Sequence, residues 1–186
     1  MMNQTFVKSV TEQLPQLGLL QDEPMKKHTT FRIGGPADYY AEPDMSRISK
    51  LIEMAKACDM PDTVIGNGSN LLVGDKGIRG LVFGIRKGLS EIEVTEAVAQ
   101  QSTAQDLTAQ DNGHIITAGA GSILAAVAAK AAEVSLSGLE FASGIPGSVG
   151  GAVVMNAGAY GGEIKDVLID ATVLTAEGEL KTVTRD

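Results

Sequence analysis

The amino-acid sequence predicts an α+β protein, and three observations carry that expectation. Apolar residues recur with helical period at 3–14, 46–60 and 123–133, as helices with one buried face require. Between them lie short β-branched and aromatic runs bounded by Gly, Pro and Asn, the pattern of strands. The third observation is the stretch Leu139 to Glu163, which holds seven glycines (Gly144, Gly147, Gly150, Gly151, Gly158, Gly161, Gly162) and neither lysine nor arginine. Glycine-dense runs are commonly polar linkers. Here the glycines are interleaved with Phe141, Ile145, Val149, Val153, Val154 and Met155, which places the stretch in or near a core. Two readings of it stay open on spacing alone. One is a set of tight turns in a packed β-rich domain; the other is a concave row of backbone N–H donors for an anion such as a diphosphate. Gly144, Gly147 and Gly150 form G-x-x-G-x-x-G rather than G-x-G-x-x-G, and no G-x-x-x-x-G-K-[ST] is present, so neither a Rossmann nor a P-loop scaffold is implied.

Composition narrows the partners. The chain of 186 residues suffices for one large or two small domains. A net charge of −8 leaves no basic patch for a nucleic-acid backbone. The absence of tryptophan argues against stacking platforms for single-stranded bases. The lone Cys58 excludes an internal disulfide and a Cys-x-x-Cys metal site, and suggests a reducing compartment. Its place on the apolar face of a predicted helix favours core packing over a catalytic thiol. The start, Met1 to Lys8, lacks the basic and apolar regions of a secretory signal. No window approaches 18 uninterrupted apolar residues, so a cytoplasmic protein with no membrane contact is expected, and no metal site.

Taken in order, residues 3–14 set Phe6, Val7, Val10 and Leu14 on one helical face, stopped by Pro15. Residues 25–43 read as strand, Gly34-Gly35-Pro36 turn, strand. Ser46 is the expected cap of a helix carrying Ile48, Leu51, Ile52 and Ala55. Apolar strands at Thr63–Ile65 and Gly80–Ile85 flank the loop Gly66-Asn67-Gly68-Ser69-Asn70, giving a βαββ-like lobe. That loop is either an ordinary connection or a set of N–H and hydroxyl donors for a phosphate. Residues 91–118 read as strand, loop, strand, with Ala97–Asp111 a surface excursion. Ser122 is the expected cap of a helix over 123–133. Residues 167–175 and 180 onward form a hairpin whose return strand ends the chain, which suggests truncation.

Three segments together resemble one family, the flavin-dependent UDP-N-acetylenolpyruvoylglucosamine reductases of peptidoglycan synthesis. They are His28-Thr-Thr-Phe-Arg-Ile-Gly-Gly-Pro-Ala-Asp38, Ile65-Gly-Asn-Gly-Ser-Asn-Leu-Leu-Val73 and the run from Gly138 to Glu163. The resemblance covers nearly the whole chain, with 97–111 as an insertion. It implies a two-subdomain FAD-binding fold of the vanillyl-alcohol-oxidase type, C-terminally incomplete, with residues 1–85 and 86–186 as the two subdomains. It implies that Gly66, Asn67, Gly68, Ser69 and Asn70, together with Ser143, Gly144, Ile145, Pro146, Gly147, Ser148, Gly150 and Gly151, hold the FAD diphosphate and ribityl chain. Ala157, Gly158 and Tyr160 would line the crevice on the isoalloxazine side.

The reaction implied has two stages: NADPH reduces FAD, and the flavin then passes a hydride to the enolpyruvyl group of the UDP-sugar, giving UDP-N-acetylmuramate. The chain departs from the family pattern. The Tyr-Arg-x-Ser segment, the later proton-donating serine and the C-terminal glutamate are missing, so no catalytic residue is expected here. Arg185 lacks the aromatic context to take the arginine's role, and Ser143 and Ser148 belong to the flavin-binding run. A family member is roughly half as long again, at the scale of two to three domains; the substrate domain that would meet NADPH and the UDP-sugar is absent. The chain alone is expected to be inactive, with an exposed β edge open to self-association. Alternatives are another FAD oxidoreductase on the same scaffold, a non-catalytic flavin-binding module, or a β-rich domain without ligand. Arg32 is either a solvated strand residue or a diphosphate contact. Tyr39, Tyr40 and Met155 read as core, and Glu163 with Asp166 as a solvated helix or turn start.

Overall fold

A computed structural model describes residues 3–86, 88–96, 113–176 and 178–185; the expected excursion at 97–111 lies outside the described residues. The first helix, α1 (Gln4–Gln13), starts where the Asn3 side chain accepts from the Phe6 amide, and it buries Phe6 and Val10. Strand β1 (Leu20–Pro24) leads into a 3-10 turn (Met25–Lys27); β2 (Pro36–Ala41), α2 (Met45–Ala57), β3 (Asp62–Ile65) and β4 (Ile78–Gly84) follow. The strands form one sheet in the order β1-β2-β4-β3. β1 runs antiparallel to β2, whereas β2 and β3 both run parallel to β4.

Period-two alternation divides the sheet between two cores. Tyr39, Ala41, Leu81 and Phe83 pack under α1 and α2 against Phe6, Val10, Ile48, Leu51, Met54 and Ala55. The opposite face gathers Met25, Ala37, Tyr40, Ile65, Val73 and Val82. Ala37 and Tyr40 share that face although they lie three apart, because the register slips between Ala37 and Tyr39. β4 is buried on both faces, as a central strand should be. Each fully buried Leu or Phe contributes about 1.5–3 kcal/mol.

In the second half, β5 (Ile92–Glu96) pairs antiparallel with β6 (His114–Ala118). Next come α3 (Leu124–Glu133), a 3-10 segment (Glu140–Gly144) and α4 (Val149–Met155), then β7 (Gly158–Ala159), β8 (Gly162–Glu163) and α5 (Ile164–Val167). Their common core is Leu124, Ala128, Phe141, Ala142, Ala152 and Ile164. Among the described residues β9 (Asp170–Leu174) and β10 (Leu180–Thr184) pair only with each other, and Leu180 is 58% and Val183 39% exposed.

Several sequence expectations need correction. The strand expected over 25–33 is a 3-10 turn followed by loop; the partner of β2 is the earlier Leu20–Pro24, and Pro36 opens β2 instead of sitting in a turn. Arg32 therefore sits in a turn with φ 56°, exposed, its amide donating to Thr29 O. Asp44 rather than Ser46 precedes α2 as its cap residue, and Ser46 Oγ donates to the Asp44 carboxylate. Ser122 does not cap α3; its hydroxyl donates to Glu91 O at 3.2 Å from a buried position. Val154 and Met155 are not core: 85% and 59% of their surface is exposed. Helical period placed them on the outer side of α4, which the glycine pattern could not reveal. Cys58 is the half-buried C-cap residue of α2. Glu163 and Asp166 form a reciprocal capping box at the start of α5.

Candidate functional site

The parallel pairing of β3 with β4 matches Ile65 to Gly84. The loop Gly66–Asn70 therefore leaves from the carboxyl edge of the sheet, where ligands of open parallel sheets bind. Two supports hold it from below. The Thr30 amide donates to Gly68 O at 3.1 Å. Gly68 itself, at φ +64°, lies so close to the His28 carbonyl that a methyl there would meet backbone. None of the amides from Gly66 to Asn70 donates to a described residue. The consequence is a short row of unpaired N–H groups with no carboxylate within it, a surface suited to an anion.

The second glycine run reaches this loop from the other half of the chain. Ser148, 1% exposed, caps α4 by accepting from the Gly151 amide at 3.3 Å. The Val149 and Gly150 amides donate to Ser122 O and Ala120 O, and the Leu124 amide to Gly147 O, so the run is tied to the start of α3. Asn67 Nδ2 donates to Pro146 O at 2.8 Å. A methyl on Gly66 would fall onto Ser148 Oγ, and one on Gly147 would lie 3.9 Å from Ser69 Oγ. Gly66, Asn67 and Ser69 are thus brought together with Pro146, Gly147, Ser148 and Gly151. Asn70 is exposed at the loop's far end, Gly150 packs on Ala120 and Ile85, Ile145 is half-buried, and Ser143 and Gly144 are exposed in the 3-10 segment.

Ala157, Gly158 and Tyr160 stand apart from this junction. The seven residues of α4 carry the chain about 10 Å along the helix axis. Tyr160 and Gly161, with φ 54° and 89°, make the two-residue turn between β7 and β8. Tyr160 is 99% exposed and borders an opening lined by Gly138, Glu140, Phe141 and Gly162. At the base of the hairpin Asn156 Nδ2 donates to Glu163, which also pairs with Lys165. The bond from Lys165 first, and that from Asn156 second, hold the Glu163 carboxyl below its usual range, and Glu163 in turn holds the Lys165 ammonium above its own.

His28 is remote in sequence from both glycine runs, yet the fold brings its backbone against Gly68. Its Nε2 lies 2.9 Å from Glu23 Oε1, its ring stacks on Tyr40 at 3.9 Å between centroids, and its buried Nδ1 has no partner among the described residues. Burial pushes the Glu23 carboxyl up, but hydrogen bonds from His28 and Lys27 and their charges outweigh it, leaving the group below its usual range. Burial and the bond to Glu42 push the Tyr40 hydroxyl well above a free phenol.

Residues 38–184 match the family described as FAD binding domain. The chain belongs to that family. FAD is the family's cofactor, and the donors fit it: a dianionic diphosphate needs N–H groups and hydroxyls free of acidic neighbours, and the Gly66–Asn70 loop offers them. The UDP-N-acetylenolpyruvoylglucosamine reductase of Agathobacter rectalis is 93% identical over 185 residues, the whole of this chain and 57% of that protein. That of Streptococcus agalactiae is 45% identical over 179 residues, 96% of this chain and 54% of that one. The chain thus spans just over half the length of these relatives. Among solved structures, UDP-N-acetylenolpyruvylglucosamine reductase (MurB) from Thermus caldophilus superposes with a TM-score of 0.63 at 30% identity, covering 91% of this chain and 53% of that one. A VAO-type flavoprotein from Myceliophthora thermophila gives 0.61 at 15% identity over 80% of this chain and 26% of its own, a likeness of fold. The α+β fold of this FAD binding domain is therefore the one shared by MurB and the VAO-type flavoproteins.

Proposed function

We propose that the chain is the FAD-binding part of an NADPH-dependent reductase that converts UDP-N-acetylglucosamine enolpyruvate to UDP-N-acetylmuramate for peptidoglycan synthesis in the cytoplasm. The observation that carries this reading is the 93% identity, along the whole chain, to a reductase of that name. Residues 1–85 act as the first FAD-binding subdomain and 86–186 as the second, with the diphosphate held where their glycine runs meet.

The amides of Gly66–Asn70 and the hydroxyl of Ser69 donate to the phosphate oxygens, and Asn67 spans to the other run through Pro146. Donors already fixed by the fold need little reorganisation when the anion arrives. That makes up for the lack of lysine and arginine between Leu139 and Glu163. Ser143, Gly144, Ile145, Pro146, Gly147, Ser148, Gly150 and Gly151 complete the cradle along the ribityl chain, and Ala157, Gly158 and Tyr160 border the isoalloxazine. Bound FAD supplies hydride transfer between NADPH and the enolpyruvyl double bond. What this chain's own residues supply to that reaction is the flavin cradle, and the expected outcome for the chain alone is flavin binding without turnover. Among the described residues the β9–β10 hairpin pairs only with itself, and copies self-associate through its strand edges.

The test is a visible spectrum of the purified chain after incubation with excess FAD and desalting. A retained flavin band, with no NADPH oxidation when the UDP-sugar is added, supports the reading; a colourless chain refutes the cradle. Light scattering across a concentration series reads the self-association.

A further inference from the structure

Among the described residues the most deeply placed ionisable pair outside the cradle is Glu23 with His28, whose side chains are only 11% and 12% exposed. A pair of this kind is a poor source of stability. Burying a carboxylate and an imidazole is costly, and apolar residues of similar volume commonly do as well or better. The Nδ1 atom of His28 is buried with no partner among the described residues, which adds a further cost. What the arrangement does achieve is placement. The ring is fixed at one edge by the 2.9 Å contact of Nε2 with Glu23 Oε1 and across its face by Tyr40. The His28 amide donates to Met25 O at 2.8 Å. Thr29, 6% exposed, is locked by its hydroxyl donating to Ile33 O at 3.0 Å. The backbone so fixed is the one that abuts Gly68, with Thr29 Cα 3.0 Å from where a methyl on that glycine would sit, and it also donates the Thr30 amide to Gly68 O.

We propose that Glu23 and His28 are positioning residues for the phosphate cradle: their hydrogen bond holds His28–Thr30 under Gly68, and flavin affinity depends on it. This rests on the reading that Gly66–Asn70 receives the FAD diphosphate. Lys27 also reaches Glu23 at 3.3 Å but is 59% exposed, so solvent screens its share. Tyr40, Glu42 and Arg86 extend the charged network on the far side of the ring.

The test measures FAD affinity of the full chain by flavin fluorescence, with circular dichroism to confirm the fold. Substitutions His28→Ala and Glu23→Ala should each weaken binding about tenfold, the scale of one charged hydrogen bond. The double variant should be no weaker than either single, since one bond is lost in all three. His28→Gln places an amide donor near the Nε2 position and should recover affinity to within about threefold. In the absence of flavin, the Thr30 amide should exchange about tenfold faster in His28→Ala than in the parent chain. Unchanged affinity and unchanged Thr30 protection in His28→Ala overturn the proposal, as do additive losses or failure of His28→Gln to rescue. Gly68→Ala serves as the control. If it binds FAD normally, the cradle reading itself fails; if it loses FAD while the Glu23 and His28 variants do not, only the positioning role falls.

Discussion

The contact between Gly66 and Ser148 joins two segments 82 positions apart in the sequence, and a double-mutant cycle can test it directly. In Gly66→Ala the new methyl lands on Ser148 Oγ and 3.4 Å from Ser148 Cβ. Relief requires Ser148 to rotate, and it then gives up its bond to the Gly151 amide. Overpacking of this kind costs about 1–3 kcal/mol, with the lost cap adding about 1 kcal/mol. Ser148→Ala alone forfeits only the cap, about 1 kcal/mol. In the double variant the obstructing oxygen is gone and two methyls meet at ordinary van der Waals distance. Its loss should therefore be close to that of Ser148→Ala alone, a coupling of about 2–4 kcal/mol in favour of the pair. Urea denaturation of the four chains, read by far-ultraviolet circular dichroism, measures the cycle. Losses that simply add, to within about 0.5 kcal/mol, would mean that the two glycine runs do not touch as described.

Asn67→Ala removes the 2.8 Å bond to Pro146 O; FAD affinity should fall about fivefold to tenfold while stability drops by no more than about 1.5 kcal/mol, read by flavin fluorescence and urea midpoints. Because Glu23 is held below its usual range in the folded chain, its contribution is present above the unfolded carboxylate value and lost as pH falls through the folded one. Glu23→Gln should accordingly flatten the fall of the urea midpoint across the acid limb. Leu81→Ala empties a fully buried site on the central strand and should cost about 2–5 kcal/mol by the same denaturation. Tyr160→Ala, at a position 99% exposed, should leave stability within about 0.5 kcal/mol; a larger loss would mean that the tyrosine packs against something in solution.

The periodicity of the sequence sufficed for the local elements. Phe6 and Val10 on α1, Ile48, Leu51 and Ala55 on α2, and the β9–β10 hairpin all lie where their patterns put them, because burial of one helical face or one turn is decided within about a dozen residues. The two glycine runs and the flavin fold they imply were legible for a similar reason: their motifs are contiguous. Tertiary structure decided what lies between segments. No local signal distinguished Leu20–Pro24 as the partner of β2, since strand pairing is settled by which edge is left open after the sheet assembles. Nor could spacing show that Val154 and Met155 face outward, that Ser122 turns to Glu91 instead of capping α3, or that Ser148 meets Gly66. The support that His28 and Glu23 give to Gly68 is of the same kind. Hydrogen bonds and packing across long sequence separations depend on register and crossover geometry, which only the folded chain fixes.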